Sequence, residues 1–508
     1  MTTKTGKVFI VGFGPGDEGM LTQRACYLLQ RADIIYYDYL TNAAFLEKIN
    51  PQAQKVYVGK KGGGKKVPQD DTNEALIRSA QAGKFVVRLK GGDPLIFGRG
   101  AEEALALAAA NLEFELVPGI TSAQAAGWVG IPLTHRDFNS TLTWVTGHED
   151  PNKSPDVEIN WQALAQLGGT LVIYMGMHNL ADNVAKLIQG GMNPQTPVAV
   201  LEWLTYPNQQ VLEGTLQEIP ALVQQQNFQA PAVVVIGDVV KLRKKLDWMS
   251  KKPLYGRLIV VTRAHAQSSS LTEPLKELGA QVVELPTLEI SPVQDLTKVD
   301  QAIQHLATFD YLVFSSVNAV EIFFKRCHVL KSDIRKLSSL KIAAVGKKTA
   351  QALEQHQLYA EFVPEAYSGD DLAAGLAGFD IHGKKILFPR SAQARAEILK
   401  PLLQSGAEVE ELVLYENHIP AASQQQAKTF FESRLPDLIT FTSASSVKNF
   451  VQIVSGLPQV ESIKKIPAIC IGPITEQAAR ALGFEKILVT EEATLESLID
   501  KIIKLFND

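Results

Sequence analysis

Short apolar runs recur along the chain, each closed by glycine, proline or charge, with helical stretches between them. Before residue 250 such runs occupy 7–11 (KVFIV), 85–89 (FVVRL), 170–175 (TLVIYM) and 232–236 (AVVVI), and 101–110 (AEEALALAAA) is one of the helical stretches. Runs this apolar read as strands, and their alternation with helices predicts an α/β fold.

Residues 246–256 (LDWMSKKPLYG) interrupt that rhythm with charge, proline and glycine, as a short connection between domains does. A boundary near 250 follows, with domains at 1–248 and 257–508 and a linker at 249–256. Beyond it the chain repeats itself. GRLIVVTRAHAQ at 256–267 recurs as GKKILFPRSAQA at 383–394, and GAQVVELPTL at 279–288 recurs as GAEVEELVLY at 406–415, both at an offset of 127 residues. VFSSVNAV (313–320) and AAVGKKTAQAL (343–353) match TFTSASSV (440–447) and CIGPITEQAAR (470–480) at nearly the same offset. A duplication of this length predicts two small α/β lobes enclosing one cleft.

At 508 residues the chain exceeds what one core usually supports, which agrees with two functional halves. A net charge of −4 argues against a sequence-independent nucleic-acid binder, so an anionic substrate must be met by local basic clusters. Cys26, Cys327 and Cys470 lie far apart, in no metal-ligand spacing. Neither a disulfide framework nor a metal site is expected. The amino terminus enters a strand directly and no run reaches about 18 apolar residues, so a cytoplasmic protein without membrane association is expected.

Two glycine-rich turns carry the candidate chemistry of the first half. Residues 11–17 (VGFGPGD) follow a strand, but Gly12, Gly14 and Gly16 lack dinucleotide spacing, because Asp17 stands where the third glycine is needed. Residues 86–100 (VVRLKGGDPLIFGRG) place Gly91, Gly92 and Asp93 at a strand's carboxyl end, where open α/β sheets hold ligands. Together with IIYYDYLT (34–41), VGKK (58–61), VPGITSA (117–123), IPLTHRD (131–137), TGH (146–148) and YMG (174–176), these turns resemble uroporphyrinogen-III C-methyltransferase over about residues 6–248.

The resemblance implies a two-lobed class III methyltransferase fold that binds S-adenosyl-L-methionine, releases S-adenosyl-L-homocysteine and forms a homodimer. It assigns cofactor contacts to Pro15, Gly91, Gly92, Asp93, Ile96, Thr121, Ser122, Met175, Leu204 and Ala232. Glycine there would let the ligand approach main chain. At Leu204 the family usually has glycine, so contact would use backbone atoms. Methylating a pyrrole carbon needs a base for the ring N–H proton. The resemblance gives Asp38 that role and makes Lys60 a proton donor; an N-cap for Asp38 and solvated surface for Lys60 are the alternatives. Arg88, Arg99, His135 and Arg136, with Lys61, Lys65 and Lys66, are the candidate cations for a polycarboxylate substrate.

In the second half, PLYGRLIVVTR (253–263), LPTLEI (285–290), FDYLVFSSVNAV (309–320), VPEAYSGDDL (363–372), ELVLYE (411–416) and IGPITEQAA (471–479) resemble uroporphyrinogen-III synthase to about residue 505. That resemblance implies duplicated flavodoxin-like parallel α/β lobes, 257–284 with 417–508 and 290–411, joined by extended strands at 284–290 and 411–416. Hydroxymethylbilane would bind between them with no cofactor or metal. Ser316, Thr349, Ser368, Ser443 and Thr475 stand at helix starts, where hydroxyls and free amides bind carboxylates; N-capping is the other role open to them. Tyr415 matches the family's proposed general acid, and an interlobe aromatic is the alternative. Arg263 and Arg390 occupy equivalent repeat positions.

The two resemblances predict a bifunctional enzyme that makes uroporphyrinogen III and methylates it twice to precorrin-2, for siroheme or cobalamin. The alternative is a methyltransferase acting on a later corrin intermediate, with a non-catalytic tetrapyrrole-binding second half.

Overall fold

The computed structural model describes residues 5–41, 43–59, 68–149, 158–206, 208–263, 265–364, 375, 381–394 and 399–507. The chain forms two compact units, Met1–Arg257 with Lys276–Gln281, and Leu258–Leu275 with Val282–Asp508.

In the first unit, β1 (Val8–Gly12), β2 (Ile34–Tyr37), β3 (Gln54–Tyr57), β4 (Val86–Lys90) and β5 (Phe114–Val117) form one sheet in the order β3-β2-β4-β1-β5. Every pairing in it is parallel. β1 and β4 are buried at all their positions, as expected for central strands covered on both faces. β6 (Leu142–Thr146), β7 (Thr170–Tyr174), β8 (Pro197–Glu202), β9 (Gln210–Thr215) and β10 (Ala232–Ile236) form a second sheet in the order β6-β7-β10-β8-β9. Only β6 and β7 pair in parallel; β10 runs antiparallel to β7 and β8, and β8 to β9. Seven residues separate β8 from β9, too few for a crossover, so these strands must turn back on one another.

The second unit also holds two sheets. β11 (Leu258–Val261) and β12 (Gln281–Glu284) begin one of them, and β13 (Glu289–Pro292), β14 (Tyr311–Phe314), β15 (Lys341–Ala344), β16 (Lys385–Ser391) and β17 (Glu408–His418) form the other. β18 (Leu438–Phe441), β19 (Ala468–Cys470) and β20 (Ile487–Val489) return to complete the first. The orders are β12-β11-β18-β19-β20 and β13-β17-β16-β14-β15. The duplicated sequences are therefore structurally equivalent: β12, β11, β18 and β19 correspond in position to β17, β16, β14 and β15. The same four-strand core is entered at two different points of its order.

β13 and β17 pair antiparallel, with Pro292 opposite Tyr415, while the earlier part of β17 pairs parallel with β16. The first linking strand starts at Glu289 rather than at 284. Pro286 offers no backbone donor, and Leu285 N and Thr287 Oγ1 are bonded to Val261 O and Thr262 O of the first sheet. Among the described residues no helix is long and apolar enough to cross a membrane.

Candidate active sites

In the first unit β1, β4 and β5 end side by side, and the turns beyond them lock together. Phe13 N donates to Lys90 O at 2.8 Å, and Gly14 and Gly92 exchange backbone hydrogen bonds of 3.1 and 2.8 Å. Asp93 Oδ2 accepts from Gly119 N at 3.0 Å and its Oδ1 from Leu95 N at 2.8 Å, so this carboxylate ties the GGDP turn to the 117–123 turn. A Cβ on Gly12 would stand 2.6 Å from Gly119 Cα, and one on Gly91 would stand 2.5 Å from Leu40 Cβ. Gly12 and Gly91 are thus required by the packing of turn against turn. Gly92 has φ 67, a conformation that glycine adopts at little cost.

The second sheet meets these turns at the carboxyl ends of β7 and β8 and the start of β10. Tyr174 closes β7; its hydroxyl lies 2.8 Å from Thr121 Oγ1 and accepts from Ala123 N at 3.3 Å. Burial pushes the Tyr174 phenol above its ordinary pKa. Met175, next along, is 51% exposed. Leu204 is buried after β8, and Ala232 opens β10 opposite Glu202. Ile96 leaves the GGDP turn to pack on the second sheet's core. Asp17 N donates to Thr205 Oγ1 at 3.0 Å, and Tyr206 Oη donates to Leu40 O at 2.7 Å. Pro15 is buried and Ser122 half-buried within the same set of turns. The ten residues expected at the cofactor lie at these strand ends and on the turns beyond them.

Asp38 follows β2 directly and is 23% exposed. Its Oδ1 accepts from Leu40 N at 3.2 Å, the local turn its type favours. Its Oδ2 lies 3.6 Å from Arg88 Nη2. Arg88 does not offer itself to solvent as a substrate clamp would: its side chain is 7% exposed, with Nε donating to Glu103 Oε1 at 3.1 Å and Nη1 to Leu89 O at 2.7 Å. The cation expected to hold substrate is instead fixed in the protein, beside the expected base. Lys90 Nζ reaches the same Glu103 oxygen at 2.9 Å, and Gln69 Nε2 does so at 3.1 Å. Burial, and then Arg88, lower the Lys90 pKa. Burial alone would raise the Glu103 carboxyl, but Arg88 and Lys90 more than offset it and hold it below its ordinary value.

Arg99 precedes the helix Gly100–Ala109 with φ 61 and pairs with Glu102. His135 Nδ1 accepts from Asp137 N at 3.2 Å, and its ring stands edge-on to Phe138, 5.1 Å between centroids. Arg136 is exposed. Lys60, Lys61, Lys65 and Lys66 lie outside the described residues.

In the second unit, hydroxyls gather where parallel strands give way to helices. Ser316 caps the helix Val317–Val329 by accepting from Ala319 N at 3.2 Å, and its Oγ lies 3.0 Å from Tyr415 Oη. Tyr415 is 5% exposed, and its hydroxyl meets a helix start. Ser443 caps the helix Ala444–Val454 in a reciprocal box with Ser446. Thr349 and Thr475 are buried in the first turns of their helices, after Gly346 and Gly472. Ser316 and Ser443 do serve as caps, and the Ser443 backbone amide is itself taken up by Ser446 Oγ at 3.2 Å. Arg263 Nη1 donates to Ser270 Oγ of the helix His265–Glu277 at 2.9 Å, and Arg390 Nη1 donates to Ser391 O and Ala394 O at 3.1 Å while its Nε lies 2.6 Å from Glu411 Oε2 of β17. Ser368 lies outside the described residues. Among those residues no cluster of side chains could hold a metal ion.

Glu103 and Gln69 were not singled out from the sequence, and Lys90 was read there only as positive charge near the GGDP turn. A signal existed for Glu103: Gly100, Ala104 and Leu107 share one helix face at helical spacing, and position 103 falls on that apolar face, where a carboxylate must find partners.

The fold and turns of the first unit define a tetrapyrrole methylase domain. Residues 7–220 match the family of tetrapyrrole (corrin/porphyrin) methylases, and residues 269–500 match that of uroporphyrinogen-III synthase HemD. Over 502 residues, 98% of each chain, the protein is 36% identical to porphyrin biosynthesis protein HemD of Ruminiclostridium josui. It is 38% identical to uroporphyrinogen-III C-methyltransferase of Bacillus subtilis (strain 168) over 70% of this chain and 72% of that one. It is 48% identical to the S-adenosyl-L-methionine-dependent uroporphyrinogen III methyltransferase of Methanosarcina barkeri over 48% of this chain and 95% of that one. The chain belongs to the family of porphyrin biosynthesis proteins in which a tetrapyrrole methylase is fused to a HemD-type synthase domain.

Proposed function

We propose that the protein carries out two consecutive reactions of tetrapyrrole synthesis. The second unit cyclises hydroxymethylbilane to uroporphyrinogen III with loss of water and inversion of the last ring. The first unit then transfers two methyl groups from S-adenosyl-L-methionine to uroporphyrinogen III, giving precorrin-2 for siroheme or cobalamin. The observation that carries this reading is that this chain matches the tetrapyrrole methylases at 7–220 and the HemD synthases at 269–500, and is similar along 98% of its length to a porphyrin biosynthesis protein HemD.

S-Adenosyl-L-methionine supplies an electrophilic methyl group when bound, and the residues that would hold it are those at the ends of β1, β4, β5, β7, β8 and β10. A pyrrole carbon of the substrate forms the new C–C bond while the methyl–sulfur bond breaks with its electrons passing to sulfur, leaving S-adenosyl-L-homocysteine. The ring N–H proton passes to Asp38, whose carboxylate stands at the end of β2 with Oδ2 3.6 Å from Arg88 Nη2. In the second unit the helix-start amides near Ser316, Thr349, Ser443 and Thr475 would hold the substrate's carboxylates. Tyr415 would assist departure of the hydroxyl as water. Positioning matters most there, because the cyclisation must be steered away from the uncatalysed product.

A methyltransferase of this family is expected to act as a homodimer in the cytoplasm. The first test is anaerobic incubation with uroporphyrinogen III and methyl-labelled S-adenosyl-L-methionine. Label in a doubly methylated product supports the reading; label transferred only to a later corrin intermediate overturns the choice of substrate.

A further inference from the structure

Glu103 is the most deeply buried carboxylate of the first unit's network, at 0% side-chain exposure, and the mechanism above gives it no task. A buried carboxylate is costly unless it is paired, and several apolar residues of similar size would fill the same place on the helix Gly100–Ala109. Its pairing is unusual in form. One oxygen, Oε1, accepts from Arg88 Nε at 3.1 Å, Lys90 Nζ at 2.9 Å and Gln69 Nε2 at 3.1 Å. Leu89 O takes Arg88 Nη1 at 2.7 Å. The guanidinium is thereby held along two sides, and Nη2 is the nitrogen turned to Asp38, at 3.6 Å.

The charges are balanced as well as placed. Arg88 and Lys90 are adjacent inward positions of β4, and without Glu103 two buried cations would stand behind one half-buried carboxylate. An unrestrained arginine would swing into the two-pronged pairing that its planar fork favours with a carboxylate. Each oxygen of Asp38 would then give one lone pair to the guanidinium, leaving the carboxylate a less open acceptor for the substrate's proton.

From this geometry we infer that Glu103 is a positioning residue for methyl transfer: it anchors Arg88 so that the guanidinium stands beside Asp38 Oδ2 yet leaves the carboxylate open to the substrate's N–H. The inference rests on Asp38 being the base. Glu103 touches neither substrate nor cofactor; it acts through Arg88, and Lys90 and Gln69 hold it in place.

The test is a double-mutant cycle in the full-length protein, using Glu103→Gln, Asp38→Asn and the pair together. Initial rates are measured with uroporphyrinogen III and S-adenosyl-L-methionine, and cofactor affinity by calorimetry. Glu103→Gln is expected to lower kcat about tenfold while the cofactor Kd stays within about twofold, because residues of one network couple through it. In the Asp38→Asn background the same change is expected to cost nothing further. Two full, multiplicative losses, or a kcat that falls only in step with cofactor affinity and melting temperature, would overturn the positioning role while leaving Asp38 as base. Full turnover by Asp38→Asn alone would overturn both. Should Glu103→Gln fail to fold, Glu103→Gln with Lys90→Met removes one charge of each sign and is read by the same cycle.

Discussion

At the scale of single residues, the same kinds of side chain serve different ends according to what surrounds them. Asp38 and Asp93 both follow strand ends, yet Asp93 spends both oxygens on backbone amides that fasten two turns, whereas Asp38 has one oxygen 3.6 Å from a restrained guanidinium. The Tyr415 hydroxyl lies 3.0 Å from Ser316 Oγ; under the proposed function Tyr415→Phe is expected to slow formation of the type III isomer on the order of 10²-fold, measured by isomer analysis of the oxidised product. An unchanged rate would make the ring a packing element. The depressed Glu103 carboxyl has a consequence for stability. Its contribution is fully present above its unfolded value near 4.5 and is lost as pH falls through the lower folded value. Glu103→Gln is therefore expected to flatten the fall in melting temperature on acidification below about pH 5. The thiols point the opposite way: burial pushes Cys327 up to about 11 and Cys470 up to about 12. Native protein at pH 8 should resist alkylation at both, as peptide mass mapping will show, because the thiol and not the thiolate predominates.

Among elements, the turns at the ends of β1, β4 and β5 act as one part. Gly12, Gly91, Gly92 and Gly119 lie close together there, and a side chain on any of them meets backbone or Leu40 within 4 Å. Gly12→Ala is expected to destabilise the first unit by about 1–3 kcal/mol and to weaken cofactor binding, as measured by denaturant unfolding and calorimetry. Much at this scale was legible in the sequence. Apolar runs gave β1, β4, β7 and β10 to within one residue, because buried strands are made mostly of apolar side chains, the paired Arg88 and Lys90 of β4 being exceptions. The internal repeat gave the correspondence of β11 with β16 and of β14 with β18, because duplicated strands keep duplicated neighbours. Other features were not legible. Nothing local in the strand VVRLK says that Arg88 turns inward to Glu103, since that partner lies on the following helix and only the packed fold brings the two together. The antiparallel course of β10 also depends on which strands flank it, not on its own residues. Ser316 and Ser443 were readable as helix starts, but the bond between Ser316 and Tyr415 joins residues 99 apart.

For the whole molecule, the chain carries two units of unrelated topology, one with a mixed sheet and one built by duplication. In the proposed function a shared tetrapyrrole gives that pairing a chemical logic: the product of the second unit's reaction would be the methyl acceptor of the first. The most direct measurement is anaerobic incubation of the full-length protein with hydroxymethylbilane, with and without S-adenosyl-L-methionine, followed by separation and mass analysis of the products. The expected result is uroporphyrinogen III without the methyl donor and a doubly methylated product with it. Only the type I isomer, formed at the spontaneous rate in both incubations, would contradict a synthase role for the second unit.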